Sequence, residues 1–335
     1  MFKLKDWYIN FIDKKRRSPA ERIIYFFLFF LSLIYAAIVT LRNFLYNKGL
    51  LRTHRCAAKV ISIGNLSWGG TGKTTLSLFL YDRLTPFYKT AVLRRGYGAD
   101  EGKLLAEKKV QVFASPNRVG LTDKLSGKFE LFILDDGFQY RKLSRDINIV
   151  IMSAKELKAR YRLIPAGFFR EPLSSLRRAD ILILNHKNEL NDADELTTRL
   201  KFEFRHLQVY TAQYNFRKLT DINGNEISLE TIKNKKLAAL TGTGYPQGFF
   251  NKLEQSDVRI FRKIIYPDHY TLNADEFKVL QDNLIKDGIY NVIITAKDKY
   301  HLPESGAKLN FFIFEIEMEI SEENSFISSL KNRIK

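Results

Sequence analysis

The sequence predicts an α/β fold: a mostly parallel sheet with helices on both faces, a second and smaller α/β domain, and an N-terminal membrane helix. Three observations predict it. Short apolar runs alternate with helical stretches through the middle of the chain, the pattern of a buried parallel sheet. A similar alternation resumes after a change of texture near residue 210. Near the N-terminus, Ile23–Leu41 is nineteen residues without a charge.

That uncharged segment would be a helix about 28 Å long, close to the hydrocarbon thickness of a bilayer. Lys14, Lys15, Arg16, Arg17 and Arg22 precede it, and Arg42, Lys48 and Arg52 follow. It lies too far from the start, and is too long, for a signal-peptide core. Both flanks are basic, so charge fixes no orientation. Residues 1–60 hold twelve Lys/Arg and three Asp/Glu, a large part of the net charge of +17. The basicity therefore points to a membrane surface. Nucleic acid is not expected, because zinc-finger spacing, an aromatic RNA-binding signature and a recognition helix are all lacking. Cys56 is the single cysteine, which excludes disulfides and cysteine metal sites within the chain and fits a reducing cytoplasm.

In the first α/β region, Val60–Ile63, Thr90–Leu93, Leu131–Leu134, Ile147–Met152 and Ile181–Leu184 read as buried strands. The first runs into Gly64-Asn-Leu-Ser-Trp-Gly-Gly-Thr-Gly-Lys-Thr-Thr75 and then a helical stretch from Leu76 to Leu84. Strand, glycine-rich turn and helix form the context of a phosphate-binding loop, hence a P-loop NTPase-type sheet. Gly69, Gly70, Thr71 and Gly72 let amide groups curl round a polyphosphate. Lys73 adds a full positive charge and Thr74 a hydroxyl for Mg²⁺, and Thr75 completes the expected nucleotide-binding stretch. The strict pattern has glycine five residues before Gly72, where this chain has Ser67.

The strand Leu131–Leu134 ends in Asp135 and Asp136, carboxylates placed as in a metal-binding second phosphate element. If the strand continues, the two point to opposite faces and do different jobs. Arg95 and Tyr97 belong to the motif Arg94-Arg-Gly-Tyr-Gly98 after another strand, where Arg95 is set to clamp phosphate. Arg170 and Glu171 sit in a Pro/Gly-bounded loop, where charged side chains are more often functional than packed. His269, in Tyr266-Pro-Asp-His-Tyr270, is alone among five histidines in lying in a tight motif beside a carboxylate.

Beyond residue 210, alternating segments flank Asp221-Ile-Asn-Gly224, a hairpin signal. Further on, Lys236–Leu240, Arg259–Ile265, Asn291–Thr295 and Leu309–Ile316 read as strands, and Gln247–Gln255 and Ala274–Asp287 as helices. The expected domains are a membrane-associating segment at 1–45, a P-loop core at 46–209, a hairpin linker at 210–233 and a C-terminal α/β domain at 234–335.

Taken in order, GNLSWGGTGKTT, RRGYG, DDGFQYRKLSRD, LIPAGFFREPLSSLRRAD, TGTGYPQGFF, YPDHY and TAKDKYHL resemble the motifs of the tetraacyldisaccharide 4′-kinases, the lipid A 4′-kinases of Gram-negative bacteria. The resemblance runs from about Tyr35 to Leu302. It implies transfer of the γ-phosphoryl group of ATP, with Mg²⁺, to the 4′-hydroxyl of a tetraacylated glucosamine disaccharide 1-phosphate. It also implies a location at the cytoplasmic face of the bacterial inner membrane. By the same resemblance Lys73 and Thr74 bind the phosphates and Mg²⁺. Asp135, Asp136 and Glu171 stand near the metal, while Arg95, Tyr97, Arg118, Gln139 and Arg170 face the substrates. Asp100 is the general base with His269 as its partner, the two coming from different domains. The chain departs from the family at Tyr140, where His is usual, at Thr75, where Pro is common, and in the shorter stretch before Asp100. That shorter stretch leaves Asp135 or Asp136 as the alternative base. The rival reading from another class is a membrane-bound P-loop ATPase switch acting on a protein partner.

Overall fold

A computed structural model describes residues 8, 11–12, 14, 16–68, 71–96, 99–153, 156, 162–185, 193–244, 246–267, 270–303 and 308–335. Helix α1 (Pro19–Asn47) is followed by β1 (Lys59–Gly64), α2 (Lys73–Leu84), β2 (Thr90–Arg94), α3 (Ala99–Glu107), β3 (Val112–Ala114), α4 (Arg118–Lys124), β4 (Leu131–Leu134) and β5 (Ile147–Ser153). It continues through β6 (Ile181–Asn185), α5 (Ala193–Glu203), β7 (Gln208–Asp221), β8 (Glu226–Ile227) and the single turn α6 (Glu230–Lys233). Last come β9 (Leu237–Thr241), α7 (Pro246–Gln255), β10 (Arg262–Ile265), α8 (Ala274–Lys286), β11 (Asn291–Thr295), β12 (Asn310–Ile320) and α9 (Glu323–Ile334).

These elements form two compact units: Met1–Tyr97, Val110–Gln213 and Ile320–Lys335 make one, and Gly98–Lys109 with Tyr214–Glu319 make the other. In the first, the strand order is β7-β6-β5-β1-β4-β2-β3, and all six pairings are parallel. Every residue of β2, β4 and β6 is buried, which is why they read as unbroken apolar runs. β1 lies between β4 and β5, so the strand order reverses there, and the crevice beyond its C-terminal end is where such sheets bind ligands. Helix α9 also belongs to this unit, although the sequence reading put it in the C-terminal domain. Phe326 packs on Phe79 and Tyr210, and Arg83 pairs with Glu323.

In the second unit β10, β9, β11 and β12 run parallel, with β12 beside β7. β8 pairs antiparallel with β7 across the Asp221–Gly224 turn, in which the Asp221 carboxylate accepts the amides of Asn223 and Asn225. Helix α3 is held here by Glu107, which pairs with Lys299 and Tyr300.

Helix α1 starts with a capping box, in which Ser18 and Glu21 satisfy each other's amides, and Pro19 fills the first turn. Its most apolar eighteen-residue window has a mean hydropathy of 2.5. Ile23, Phe26, Phe27, Phe30, Ile38 and Leu41 are all more than half exposed. One face instead makes polar contacts with the loop 163–170 of the same unit. Tyr25 donates to Ala166 O at 3.1 Å, Ser32 to Leu163 O at 2.9 Å and Tyr35 to Arg170 O at 3.0 Å.

Candidate active site

The site is built where β1 ends. A side chain on Gly64 would put its Cβ 2.4 Å from that of Phe138, so only glycine lets the β1 and β4 loops close on each other. The loop is tied internally: the Asn65 side chain donates to Thr71 Oγ1 at 3.0 Å, and Asn185, at the end of β6, donates to Thr71 O at 3.1 Å. Ser67 is buried and donates to Glu156, which accommodates a serine where the strict pattern has glycine. Gly72 caps α2 with φ +99°, a conformation that disfavours any other residue. Lys73, Thr74 and Thr75 then form the first turn of α2, with free amides and the positive end of the helix dipole.

The two carboxylates after β4 do separate. Asp135 is buried against α2, accepting from Ser77 Oγ at 3.2 Å, with Arg94 Nε 3.8 Å away. Asp136 has φ +49° and turns to other partners. The Arg170 guanidinium grips it in a bidentate pair, at 2.9 and 3.2 Å, and Lys73 Nζ lies 3.8 Å away. Strand alternation is not the cause; the strand stops at Leu134 and the left-handed Asp136 backbone redirects the side chain.

Arg118, at the start of α4, is buried and donates to the carbonyls of both Asp135 and Asp136 at 3.1 Å. Its guanidinium lies 4.0 Å from the Tyr140 ring centroid, and the Tyr140 hydroxyl accepts the Val119 amide. Tyr140 thus supports Arg118 from the ring face. Gln139 donates to Asn65 O at 2.9 Å. Arg95, Pro116, Arg118, Asp136, Gln139, Tyr140 and Arg170 line one open cleft of about 280 Å³. Five residues expected from scattered motifs therefore meet in one place: Arg95, Arg118, Asp136, Gln139 and Arg170.

Glu171, expected near the metal, does not line this cleft. It is fully buried, and its carboxylate accepts from Arg42, Asn43, Ser175 and Arg178 at 2.9–3.1 Å. Four donors occupy its lone pairs. Asp100 lies in α3, which belongs to the second unit. Gly69, Gly70, Tyr97 and His269 lie outside the described residues, as does the side chain of Asp100. Sequence reasoning missed Asn65 and Asn185; the signal was a polar residue closing an apolar strand, as in Ile-Leu-Ile-Leu-Asn185.

Burial opposes ionisation of Asp136, but the Arg170 hydrogen bonds, with Lys73 and Arg118, outweigh it and bring its pKa from 3.8 to about 2. The folded value is the lower one. The stabilisation is therefore complete above the unfolded pKa of 3.8 and disappears as pH falls through about 2. Asp136→Asn should lower the melting temperature at neutral pH, and its gap from the parent should close between about pH 4 and about pH 2. Thermal melts across that range check this.

A phosphate loop at the switch point of a parallel sheet, opening on a cleft with three arginines and a lysine-paired carboxylate, defines a P-loop enzyme of phosphoryl transfer. The chain belongs to the tetraacyldisaccharide-1-P 4′-kinase family, whose model matches residues 24–106 and 99–335. It is 34% identical to a tetraacyldisaccharide 4′-kinase of Aquifex aeolicus over 84% of this chain and 97% of that protein. It is 29% identical to one from Halothermothrix orenii over 95% of each chain. The crystal structure of "apo" form LpxK from Aquifex aeolicus in complex with ATP superposes with a TM-score of 0.72 at 29% identity, covering 91% of this chain and 98% of that one.

Proposed function

We propose that this kinase transfers the γ-phosphoryl group of ATP to the 4′-hydroxyl of a tetraacylated glucosamine disaccharide 1-phosphate. The observation that carries the reading is the cleft itself, where Arg95, Arg118 and Arg170 surround the carboxylate that pairs with Lys73 of the phosphate loop. Phosphoryl transfer asks a protein chiefly for position and fixed positive charge. Lys73 and the amides of Thr71–Thr75, with Gly69 and Gly70, bind the nucleotide phosphates. Arg95 and Arg170, with Tyr97 and Gln139, face the transferring group and the acceptor, while Arg118 braces the Asp135–Asp136 turn.

The Thr74 hydroxyl and the carboxylates of Asp135 and Asp136 are hard oxygen donors, the kind Mg²⁺ takes. Among the described residues no three His, Cys, Asp or Glu side chains converge as a metal site, so phosphate oxygens and water would complete its shell. When bound, the ion would neutralise charge on the phosphates. Asp136 titrates near 2, which makes it a poor proton acceptor from a sugar hydroxyl. Asp100, with His269, remains the proposed base.

The N-terminal helix supports a place at the membrane, at its cytoplasmic face where ATP is found. Contacts to the rest of the first unit recur from Tyr25 to Asn43, about 27 Å of helix. A helix bound along that length lies in the interface with its apolar face in the lipid. Each exposed Phe or Ile gains roughly 1.5–3 kcal/mol when fully buried. Replacing Phe26, Phe30 and Ile38 together by Ser should weaken vesicle binding at least about tenfold, with the melting temperature held, as flotation assays can measure.

The reading is tested by nucleotide consumption with and without acceptor. A kinase consumes little ATP until the disaccharide lipid is added. Rapid hydrolysis without lipid, stimulated by a protein, would favour the ATPase switch instead.

A further inference from the structure

The buried Glu171 leads further. It is adjacent to Arg170, and the two residues face opposite ways. The Arg170 side chain reaches Asp136 and also Asn65 of the phosphate loop, while both backbone amides of the pair donate to Leu66 O, at 2.6 and 3.3 Å. From the other side, α1 holds the same two residues. Tyr35 donates to Arg170 O at 3.0 Å, and Arg42 and Asn43 donate to the two oxygens of Glu171 at 3.1 and 2.9 Å. One dipeptide is thus clamped between the apolar helix and the phosphate loop.

We propose that Arg42 and Asn43 are positioning residues for phosphoryl transfer: through Glu171 they fix the backbone from which Arg170 reaches Asp136 and Asn65, so seating α1 on the catalytic unit sets turnover as well as location. The inference rests on the kinase reading above. A fully buried carboxylate must be matched by donors, so its place follows theirs. Arg170 has two separate acceptors to satisfy with one planar group, which leaves little tolerance for displacement of its backbone. Displacements of about 1 Å at such groups cost about a hundredfold in rate.

The test is a double-mutant cycle on the full chain in detergent micelles, at saturating ATP and acceptor, with kcat and KM read separately. Arg42→Met should lower kcat about 10–100-fold with both KM values within about threefold. Arg42→Lys should recover most of the loss, since it restores the cation. In an Arg170→Lys background, which loses the bidentate grip, Arg42→Met should cost less than about a further threefold. Should Arg42→Met fail to fold, Glu171→Gln, which keeps the shape and the acceptor oxygen, takes its place in the cycle. A variant that changes only acceptor KM or vesicle binding, or losses that multiply in the Arg170→Lys background, would overturn the proposal and leave α1 as an anchor. Absence of any transfer by the parent chain would instead sink the kinase reading, and this inference with it.

Discussion

Lys73→Ala should reduce kcat by about 10²–10³-fold or more while the protein stays folded. The ammonium is the one full charge carried by the first turn of α2, beside amides that contribute only partial charge. It lies 3.8 Å from Asp136 with a side chain 18% exposed, so it is held at the cleft and not out in solvent. The fold should tolerate the change for two reasons. Alanine is the best helix former at that position, and Asp136 keeps its bidentate Arg170. Unchanged circular dichroism with a collapsed kcat is the expected pair of measurements. A variant with near-parental turnover would remove Lys73 from the chemistry and, with it, the phosphate-loop account of the site.

Asp100→Ala should cost about 10²–10⁴-fold in kcat, the usual worth of a placed general base. Elimination strengthens this expectation. Asp136 is held near a pKa of 2 by three cations, and Asp135 is buried against Ser77 and Arg94. Neither is set to collect a proton from a weakly acidic hydroxyl. The companion measurement is the pH–rate profile: removing His269 should shift the ionisation that controls turnover. Near-normal activity in Asp100→Ala, or an unaltered profile without His269, would return the base to the pair after β4.

The sheet was legible because a parallel strand buried on both faces leaves a plain trace. Leu131–Leu134 and Asn291–Thr295 begin and end where the apolar runs do. Much of the cleft was legible too, for a related reason: residues beyond the C-terminal ends of such strands line the crevice, and Arg95 and Asp136 each follow one. Short helices were harder. In α9 the buried Phe326, Leu330 and Ile334 recur every fourth residue among polar neighbours, a stripe too brief to stand out. That it packs in the first unit depends on Phe79 and Tyr210, far off in sequence.

Glu171 shows the limit more sharply. Its loop context marked it as functional, but its role depends on Arg42 and Asn43, 129 and 128 residues away. Local spacing cannot reveal a buried carboxylate matched by a distant helix. Tyr140 could be noted as a departure from the family pattern, yet only the fold shows it under the Arg118 guanidinium.

The most direct test of the central claim is phosphate transfer itself. The purified protein is incubated with ATP labelled in its γ-phosphate, Mg²⁺ and the tetraacyldisaccharide 1-phosphate, and the lipid fraction is then separated and analysed. The account predicts label in a lipid carrying a second phosphate at the 4′ position, formed by the parent chain and not by Lys73→Ala. Label that appears only as inorganic phosphate, with the acceptor recovered unchanged, would contradict it.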